Sequence, residues 1–429
     1  MSGLPHVIVV GAGFGGLWTA RALAGKPVRV TLLDKDNYHA FWPLLYQVAA
    51  AELEVEQIAY PVRRILRPKK NVYFVMGEVR EVDFEQRLLH TRRLALHYDY
   101  LVLAPGSTSS YFDIEGAKTH TYPLKTMEEG LALRNQLLRC FELAAQEEDE
   151  ARRQQLLTFV IVGGGPTGVE YAGALSELIY GPIRKDYRGM SIENVRVVLV
   201  EMKERLLPKM PEKLGSYARK RLEARLVQVQ LGTSVAEVSD GDVTFEDGSC
   251  LETETVVWTA GVRGSPLLEA SGLPTNRGGR VKVQLTLQAP DQPRVYVVGD
   301  AAAFEGRDGE PLPMLAPVAM QQGEHAARNI LRQIAGEAPR PFSYRDRGTM
   351  ATIGRTAAVA HLFGRAFTGF GAWLIWLGVH LTQLIGFRNR LVVLINWAWS
   401  YLFFERMVRL ILPQGTELVA ADKGKSLDE

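Results

Sequence analysis

Cysteine is nearly absent from this chain. The 429 residues hold two, Cys140 and Cys250, far apart and in no C-x-x-C pattern. That suits a reducing compartment and rules out a disulfide scaffold or a thiolate metal cage; no metal site is expected. An excess of one charge is also missing. Fifty Lys and Arg stand against 48 Asp and Glu, for a net +2, so composition gives no case for a nucleic-acid partner. The N-terminus lacks a basic segment followed by an apolar stretch, and no cleaved secretory signal is expected. The uncharged stretch 370–387 is only at the lower bound for a membrane-spanning helix.

The length allows two or three domains. The most informative stretch is 159–170, FVIVGGGPTGVE. An apolar run, read as a buried parallel strand, breaks into Gly163, Gly165 and Gly168 at G-x-G-x-x-G spacing, then enters a helix-compatible run. The first Gly makes the tight turn. The second lets a pyrophosphate approach the backbone, and the third lets helix and strand pack closely. The apolar run 197–200 ends in Glu201. A carboxylate there accepts from both ribose hydroxyls of an adenosine and repels a 2′-phosphate, which favours NADH over NADPH; Lys203 and Arg205 nearby soften the preference. The gap from Gly163 to Glu201 is longer than usual, and an insertion around 181–189 accounts for it.

A lone glycine fingerprint is weak, but this chain has two. Residues 7–16, VIVVGAGFGG, carry Gly11, Gly13, Phe14, Gly15 and Gly16, and the apolar run 28–33 leads to Asp34. Two fingerprints mean two dinucleotide sites. Further strands end in small residues that let backbone approach a ligand: one in Ala104, Pro105 and Gly106, another in Ala260 and Gly261. A strand ending in Gly299-Asp300 places a carboxylate that could bind a ribityl hydroxyl. A helix rich in small residues opens near 315, with Pro317 in its first turn. Residues 126–153 read as one long charged helix with Leu131, Leu138 and Phe141 inward. The segment 38–49, YHAFWPLLYQVA, reads either as a packed surface loop or as a wall beside a flat ligand.

These elements fall in the order of two-dinucleotide-binding flavoproteins. The runs 38–49 and GGGPTGVE resemble type II, non-proton-pumping NADH:quinone oxidoreductases, and the resemblance covers essentially the whole chain. It implies FAD on the first fingerprint, NADH as co-substrate on the second, and a membrane quinone as acceptor. By that resemblance Gly11, Gly13, Phe14, Gly15, Gly16, Asp34, Lys35, Gln47, Val79, Ala104, Gly106, Asp300 and Ala319 hold FAD. Gly163, Gly165, Pro166, Thr167, Gly168, Glu201, Ala260 and Gly261 hold NADH. Pro317, Met320 and Gln321 lie at the quinone; many members carry Gln where this chain has Pro317, which shifts weight onto Gln321. Glu170 matches a glutamate close to the nicotinamide and flavin rings, read here as sitting in the first helical turn. Its two open roles are orienting the nicotinamide, the favoured one, and handling a proton for the quinone; the bland alternative is helix N-terminal charge complementarity.

Four of the seven tryptophans, Trp373, Trp376, Trp397 and Trp399, lie near the C-terminus. Core helices, a transmembrane hairpin and an interfacial anchor all fit the runs 370–387 and 391–404. Flanking Arg365, Arg388, Arg390, Arg406 and Arg409 with the Trp residues favour the anchor. Asn389, Asn396 and Ser400 would form a narrow polar stripe. His380 reads as a pocket residue or as a histidine inside a helix contact. The expected fold is α/β, with two Rossmann-like domains and a C-terminal helical membrane-anchoring region. The first FAD-binding part covers 1–122, the NADH-binding domain 123–262, the second FAD-binding part 263–345, the membrane-associated region 346–414 and a flexible tail 415–429. The resemblance implies a peripheral, monotopic protein on the cytoplasmic face of a bacterial cell membrane, with the bilayer surface as partner and a homodimer left open. Competing functions are a sulfide:quinone or thiol reductase, which needs reactive cysteines near the flavin, a soluble ferredoxin- or rubredoxin-type reductase, and a flavin-bearing redox sensor.

Overall fold

A computed structural model describes residues 3–306, 309–403 and 408–412. Arg406 and the expected tail 415–429 lie outside the described residues. The chain divides into two compact units. The first takes residues up to Ala40, Ala59–Thr108 and Val262–Arg347; the second takes Phe41–Ile58, Ser109–Gly261 and the chain from Gly348 on.

In the first unit, six strands lie in the order Gln288–Ala289, Gln292–Val297, Tyr100–Leu103, His6–Val10, Arg29–Asp34 and Val72–Met76. His6–Val10 runs parallel to both neighbours. Val7, Ile8 and Val9 are all wholly buried, which is why the strand reads as a continuous apolar run rather than an alternating one. Helices Phe14–Leu23 and Ala316–Ile334 pack against each other. Small residues allow it: a Cβ on Gly323 would stand 2.3 Å from the Gly15 carbonyl oxygen. The Thr19 hydroxyl ties the pair, at 2.9 Å from Gly15 O and 3.2 Å from Gly323 O.

In the second unit, five parallel strands lie in the order Tyr122–Pro123, Thr255–Trp258, Thr158–Val162, Arg196–Glu201 and Val227–Leu231. An antiparallel trio, Val235–Val238, Asp242–Phe245 and Cys250–Glu252, adds to it. The C-terminal part forms another, Thr349–Thr352, Ala358–Leu362 and Arg365–Thr368. Helices Gly369–Gln383 and Phe387–Phe403 follow.

Three expectations change. The long helix over 126–153 is two helices. Met127–Ala144 starts with a capping box between Thr126 and Glu129, and Glu150–Leu156 is capped by Asp149. The acidic run sits at the break, where a carboxylate can cap a new helix. Leu138 and Phe141 are buried as expected, and Leu131 is half-buried. The residues around 181–189 are no loop insertion at their start. Helix Pro166–Leu178 continues through a π turn, Ile179–Ile183, and a helical turn, Arg184–Asp186. Lastly, residues 41–58 fall in the second unit and not with the first fingerprint, and the chain from Gly348 on falls in that unit as well. A Cβ on Gly130 would stand 2.9 Å from the Leu45 Cδ1, and Asn389 donates to the carbonyls of Glu56 and Gln57 at 3.0 and 3.2 Å.

Candidate functional site

The two glycine loops are built alike. At the first, Gly11 has φ +94° and its Cβ would lie 2.1 Å from the Ala104 carbonyl oxygen, while one on Gly16 would lie 1.8 Å from Gly11 O. At the second, Gly163 has φ +113° and would meet the Ala260 backbone at 2.7 Å, and a Cβ on Gly168 would lie 1.9 Å from Gly163 O. These glycines are demanded by the protein's own backbone. The middle ones are not. Gly13 has φ −69° and Gly165 φ −72°, which any residue adopts. Nothing lies within 4 Å of a Cβ placed on either. Each is the N-cap of its helix, and neither helix has a side-chain cap, so the first N–H groups and the positive end of the dipole face open space. Pro166 lacks an N–H, so this helix donates from Thr167 and Gly168 onward.

Each loop is held by the acid expected for it. The Glu201 Oε2 accepts from Gly164 N at 2.7 Å and its Oε1 from Lys203 N at 2.9 Å. The Asp34 Oδ2 accepts from Ala12 N at 2.5 Å and its Oδ1 from Asp36 N at 2.9 Å. Burial pushes the Asp34 carboxyl up, against the pull of those two N–H groups. Lys35 is exposed beside it. The Arg205 guanidinium donates to Pro208 O at 2.7 Å, which leaves exposed Lys203 as the cation that can soften a preference for NADH.

Elsewhere in the first unit, Ser107 Oγ donates to Asp300 Oδ2 at 2.5 Å. Gly106, at φ +76°, has open space where a Cβ would stand. Ala319 packs under Gly299, whose Cβ would be 3.2 Å from Ala319 Cβ. Val79 is buried, opposite Thr91 in its ladder. Pro317 sits at the helix start as expected, and Met320 is half-buried. Gln321 is pinned by both amide ends to the Arg345 backbone, donating at 3.0 Å and accepting at 3.1 Å. One of its two N–H groups remains for a carbonyl.

Two residues that sequence reasoning passed over stand at these loops. His39 is wholly buried and its Nδ1 meets Ala12 O at 2.7 Å. A carbonyl only accepts, so Nδ1 carries the proton. Burial lowers the ring to about 4, so Nε2 is a bare acceptor, and it has no partner within the protein. Gln322, at 0% exposure, accepts from Gly299 N at 2.7 Å, and its Nε2 is likewise unpartnered. The Tyr-His pair and the Gln-Gln pair were the available signals. Orphaned polar atoms beside the first fingerprint and beside Asp300 fit a cofactor rich in hydroxyl and amide groups.

In the second unit, Glu170 is buried, at 9% exposure, with Oε1 accepting from Thr352 N at 3.2 Å. It lies in the second turn of the helix, which begins at Pro166. Burial pushes its carboxyl up to about 8, partly offset by the Thr352 N–H and the nearby Trp376 indole. That indole N–H makes no formed hydrogen bond. Burial, not the helix N-terminus, is the main influence on this carboxyl. Gln47 is held within the protein: Trp397 Nε1 donates to its Oε1 at 3.0 Å and its Nε2 donates to Tyr46 OH at 3.0 Å. Its carbonyl accepts from Glu52 N and Leu53 N. The side chain expected on FAD thus also serves as an internal brace, with one of its two N–H groups left over. His380 stacks on Trp376 with centroids 4.1 Å apart and is held neutral by burial, at about 4; it is the histidine inside a helix contact.

The C-terminal helices are amphipathic in an inverted sense. On Phe387–Phe403 the buried residues are Asn389, Val393 and Trp397, and Asn396 and Ser400 are half-buried. The polar stripe thus faces the protein. Phe387, Leu391, Leu394, Ile395, Trp399 and Leu402 are exposed. Phe370 and Leu374 extend that character on the preceding helix. Among the described residues, no helix is long and apolar enough to cross a membrane, and no cluster of His, Cys, Asp and Glu could hold a metal.

Against known families, residues 5–323 match the pyridine nucleotide-disulphide oxidoreductase model, and residues 347–406 match the NDH2 C-terminal domain. The chain is 37% identical to the type II NADH:quinone oxidoreductase Ndh of Mycobacterium tuberculosis, over 98% of this chain and 95% of that protein. It is 38% identical to NdhA of the same organism, over 100% and 97%. The chain belongs to the type II NADH:quinone oxidoreductase family. Its fold is that of NDH2 from Plasmodium falciparum, solved in complex with NADH (TM-score 0.87, 18% identity, 95% of this chain and 100% of that one). A sulfide:quinone oxidoreductase from Aquifex aeolicus shares the architecture less closely (TM-score 0.70, 19% identity, 97% and 94%). The two cysteines of this chain stand apart. Cys140 is buried on helix Met127–Ala144 with its thiol pushed up to about 11, and Cys250 is exposed in a hairpin.

Proposed function

We propose that this protein is an FAD-dependent NADH:quinone oxidoreductase of type II, oxidising NADH and reducing a membrane quinone without pumping protons. The observation that carries the reading is the pair of middle glycines. Gly13 and Gly165 serve no need of the backbone, and each opens an uncapped helix N-terminus to an anion. A dinucleotide pyrophosphate explains both.

The first unit is the FAD-binding part. Gly11, Gly13, Phe14, Gly15 and Gly16 frame the pyrophosphate, and Asp34 with Lys35 takes the adenosine end. Ala104, Gly106, Asp300 and Ala319 line the remainder, joined by the orphaned atoms of His39 and Gln322. Bound FAD supplies the two-electron chemistry, taking hydride from NADH and passing the electrons to quinone. The second unit binds NADH, with Gly163, Gly165, Pro166, Thr167 and Gly168 at the pyrophosphate, Glu201 at the ribose, and Ala260 and Gly261 alongside. Pro317, Met320 and Gln321 serve the quinone, Gln321 with the single N–H that Arg345 leaves it. Burial of Glu170 favours the proton-handling role over the nicotinamide role: a carboxyl that stays protonated near neutral pH can deliver a proton on demand.

The inverted amphipathic helix supports a peripheral attachment, its apolar face in the lipid where the quinone resides. In a bacterium that surface is the cytoplasmic face of the cell membrane. The test is the absorption spectrum of the purified protein. A flavin spectrum should bleach on adding NADH and return on adding quinone. A protein without flavin, or one bleached by NADH and not restored by quinone, would sink the reading.

A further inference from the structure

Every turnover consumes one proton from water: NADH + H⁺ + quinone gives NAD⁺ + quinol. Glu170 is too buried to collect that proton directly. The second unit holds a small cavity of about 10 Å³, room for about one water. Tyr46, Gln47, Glu52, Thr352 and Trp376 are among the residues that line it. Thr352 is the residue that holds Glu170.

The direction of the Tyr46 hydroxyl is fixed from a distance. An indole N–H only donates, so Trp397 requires the oxygen of Gln47 at 3.0 Å. The Gln47 amide cannot flip, and its NH₂ must face Tyr46 OH, at 3.0 Å. That hydroxyl is therefore the acceptor in this contact, and its own proton points elsewhere. Tyr46 is fully buried; burial pushes its phenol well up, and the carboxylates of Glu170 on helix Pro166–Leu178 and Glu52 on its own segment add to that. On the cavity wall Glu177 and Arg355 pair with each other, at 3.4 Å, and Glu177 also with Arg225 at 3.1 Å; as a satisfied ion pair they are poor proton carriers.

We propose that Tyr46 is the relay through which Glu170 regains its proton, and that Trp397 and Gln47 are positioning residues that aim the Tyr46 hydroxyl. This rests on the reading of Glu170 as the proton donor to quinone. After donating, Glu170 is a carboxylate. The O–H bond of Tyr46 breaks as its proton passes toward Glu170, and a new one forms with a proton from the cavity water. That water is made good from half-buried Glu52 or from solvent beyond it. One proton enters, one is spent, and no electrons move. The relay ties the buried acid to helix Phe387–Phe403, the element with the exposed apolar face.

The test compares Tyr46→Phe and Trp397→Phe with the parent holoenzyme, using a water-soluble short-chain quinone. Both variants keep an aromatic ring at the position, so either can stand in if the other folds poorly. Tyr46→Phe should lower kcat about tenfold, with KM for NADH and the rate of NADH bleaching unchanged. Trp397→Phe should do the same to a smaller degree, because Gln47 is then free to flip. Independently of turnover, the infrared C=O band of protonated Glu170, identified by its loss in Glu170→Gln, should exchange more slowly into D₂O in both variants. An unchanged kcat or unchanged exchange overturns the relay. If Glu170→Gln itself returns electrons to quinone at the parent rate, the reading of Glu170 has failed, and the relay fails with it.

Discussion

The carboxylate of Glu170 and the backbone N–H of Thr352 meet at 3.2 Å across 182 residues of sequence. One neutral N–H is little compensation for a charge in a buried place, since a carboxylate has about four acceptor sites. The proton is therefore kept, and the group is poised near neutral pH instead of being a fixed anion.

That poise has a thermodynamic sign. Burial raises the folded carboxyl from 4.5 to about 8, so between those values the folded state holds a proton that the unfolded chain has lost. Stability then falls as pH rises through this window. Glu170→Gln removes the titration. Its Tm should decline less than the parent's between pH 5 and pH 8.5, a difference on the order of a few kcal/mol at the alkaline end. Parallel Tm curves for the two proteins would show that Glu170 is not strained by burial.

The glycines give a second prediction, because their reasons differ. Gly168→Ala drives a Cβ to 1.9 Å from Gly163 O and should cost about 1–3 kcal/mol or more of stability. Gly165→Ala adds a methyl in open space at an ordinary φ. It should leave Tm unchanged or slightly raised, through the reduced entropy of the unfolded chain, while raising KM for NADH at least tenfold. Gly13→Ala should likewise fold normally and lose FAD on gel filtration. Parent-like NADH and FAD binding in both would remove the argument for the two pyrophosphate sites.

A third concerns the membrane. The C-terminal helices are not an appendage, since Trp397 braces Gln47, so charges on the outer face are a cleaner test than deletion. Leu391, Leu394 and Leu402 are 46%, 47% and 73% exposed. Burying each in lipid is worth about 1 kcal/mol, part of the full value for a leucine side chain. The triple change to Glu should weaken vesicle binding by about two orders of magnitude, with NADH bleaching of the flavin intact. Undiminished flotation with vesicles would place the contact elsewhere.

What was legible in the sequence was local. Strand, glycine turn, helix and following acid lie within about forty residues, and their spacing alone identifies them. The helix opening at Ala316 was readable from Pro317 for the same reason. What was not legible came from contacts between distant segments. Nothing near Glu170 in sequence announces Thr352, and nothing near Gln321 announces the Arg345 backbone that pins it. The segment 38–49 fits a packed loop or a wall beside a ligand equally from its own residues, and nothing in it announces Trp397, 350 positions from Gln47, which donates to that side chain. The stripe of Asn389, Asn396 and Ser400 was visible; whether it faced protein or water depended on partners that only tertiary structure supplies. Even the break at the acidic run 147–150 follows from Asp149 serving as a cap, a choice that composition left undecided.

The last prediction separates what Glu201 does for the fold from what it does for the ligand. Its Oε2 holds Gly164 N at 2.7 Å, buried at the turn of the second fingerprint, and its charge is what a 2′-phosphate would meet. Glu201→Gln keeps an oxygen for Gly164 and removes the charge. Tm should stay close to the parent's, while the NADH/NADPH preference falls about tenfold or more through KM, as expected for losing a hydrogen bond to a charged group worth about 1.5–3 kcal/mol. Glu201→Ala removes both. It should lose the preference and also about 1–3 kcal/mol of stability, because the Gly164 N–H is left buried without an acceptor. Steady-state KM values for the two nucleotides, with Tm for each variant, decide the matter. If Gln and Ala are equally unstable, the oxygen on Gly164 is not what holds the turn. If neither changes the NADH/NADPH ratio, Glu201 does not face the ribose, and discrimination must come from a residue such as Lys203.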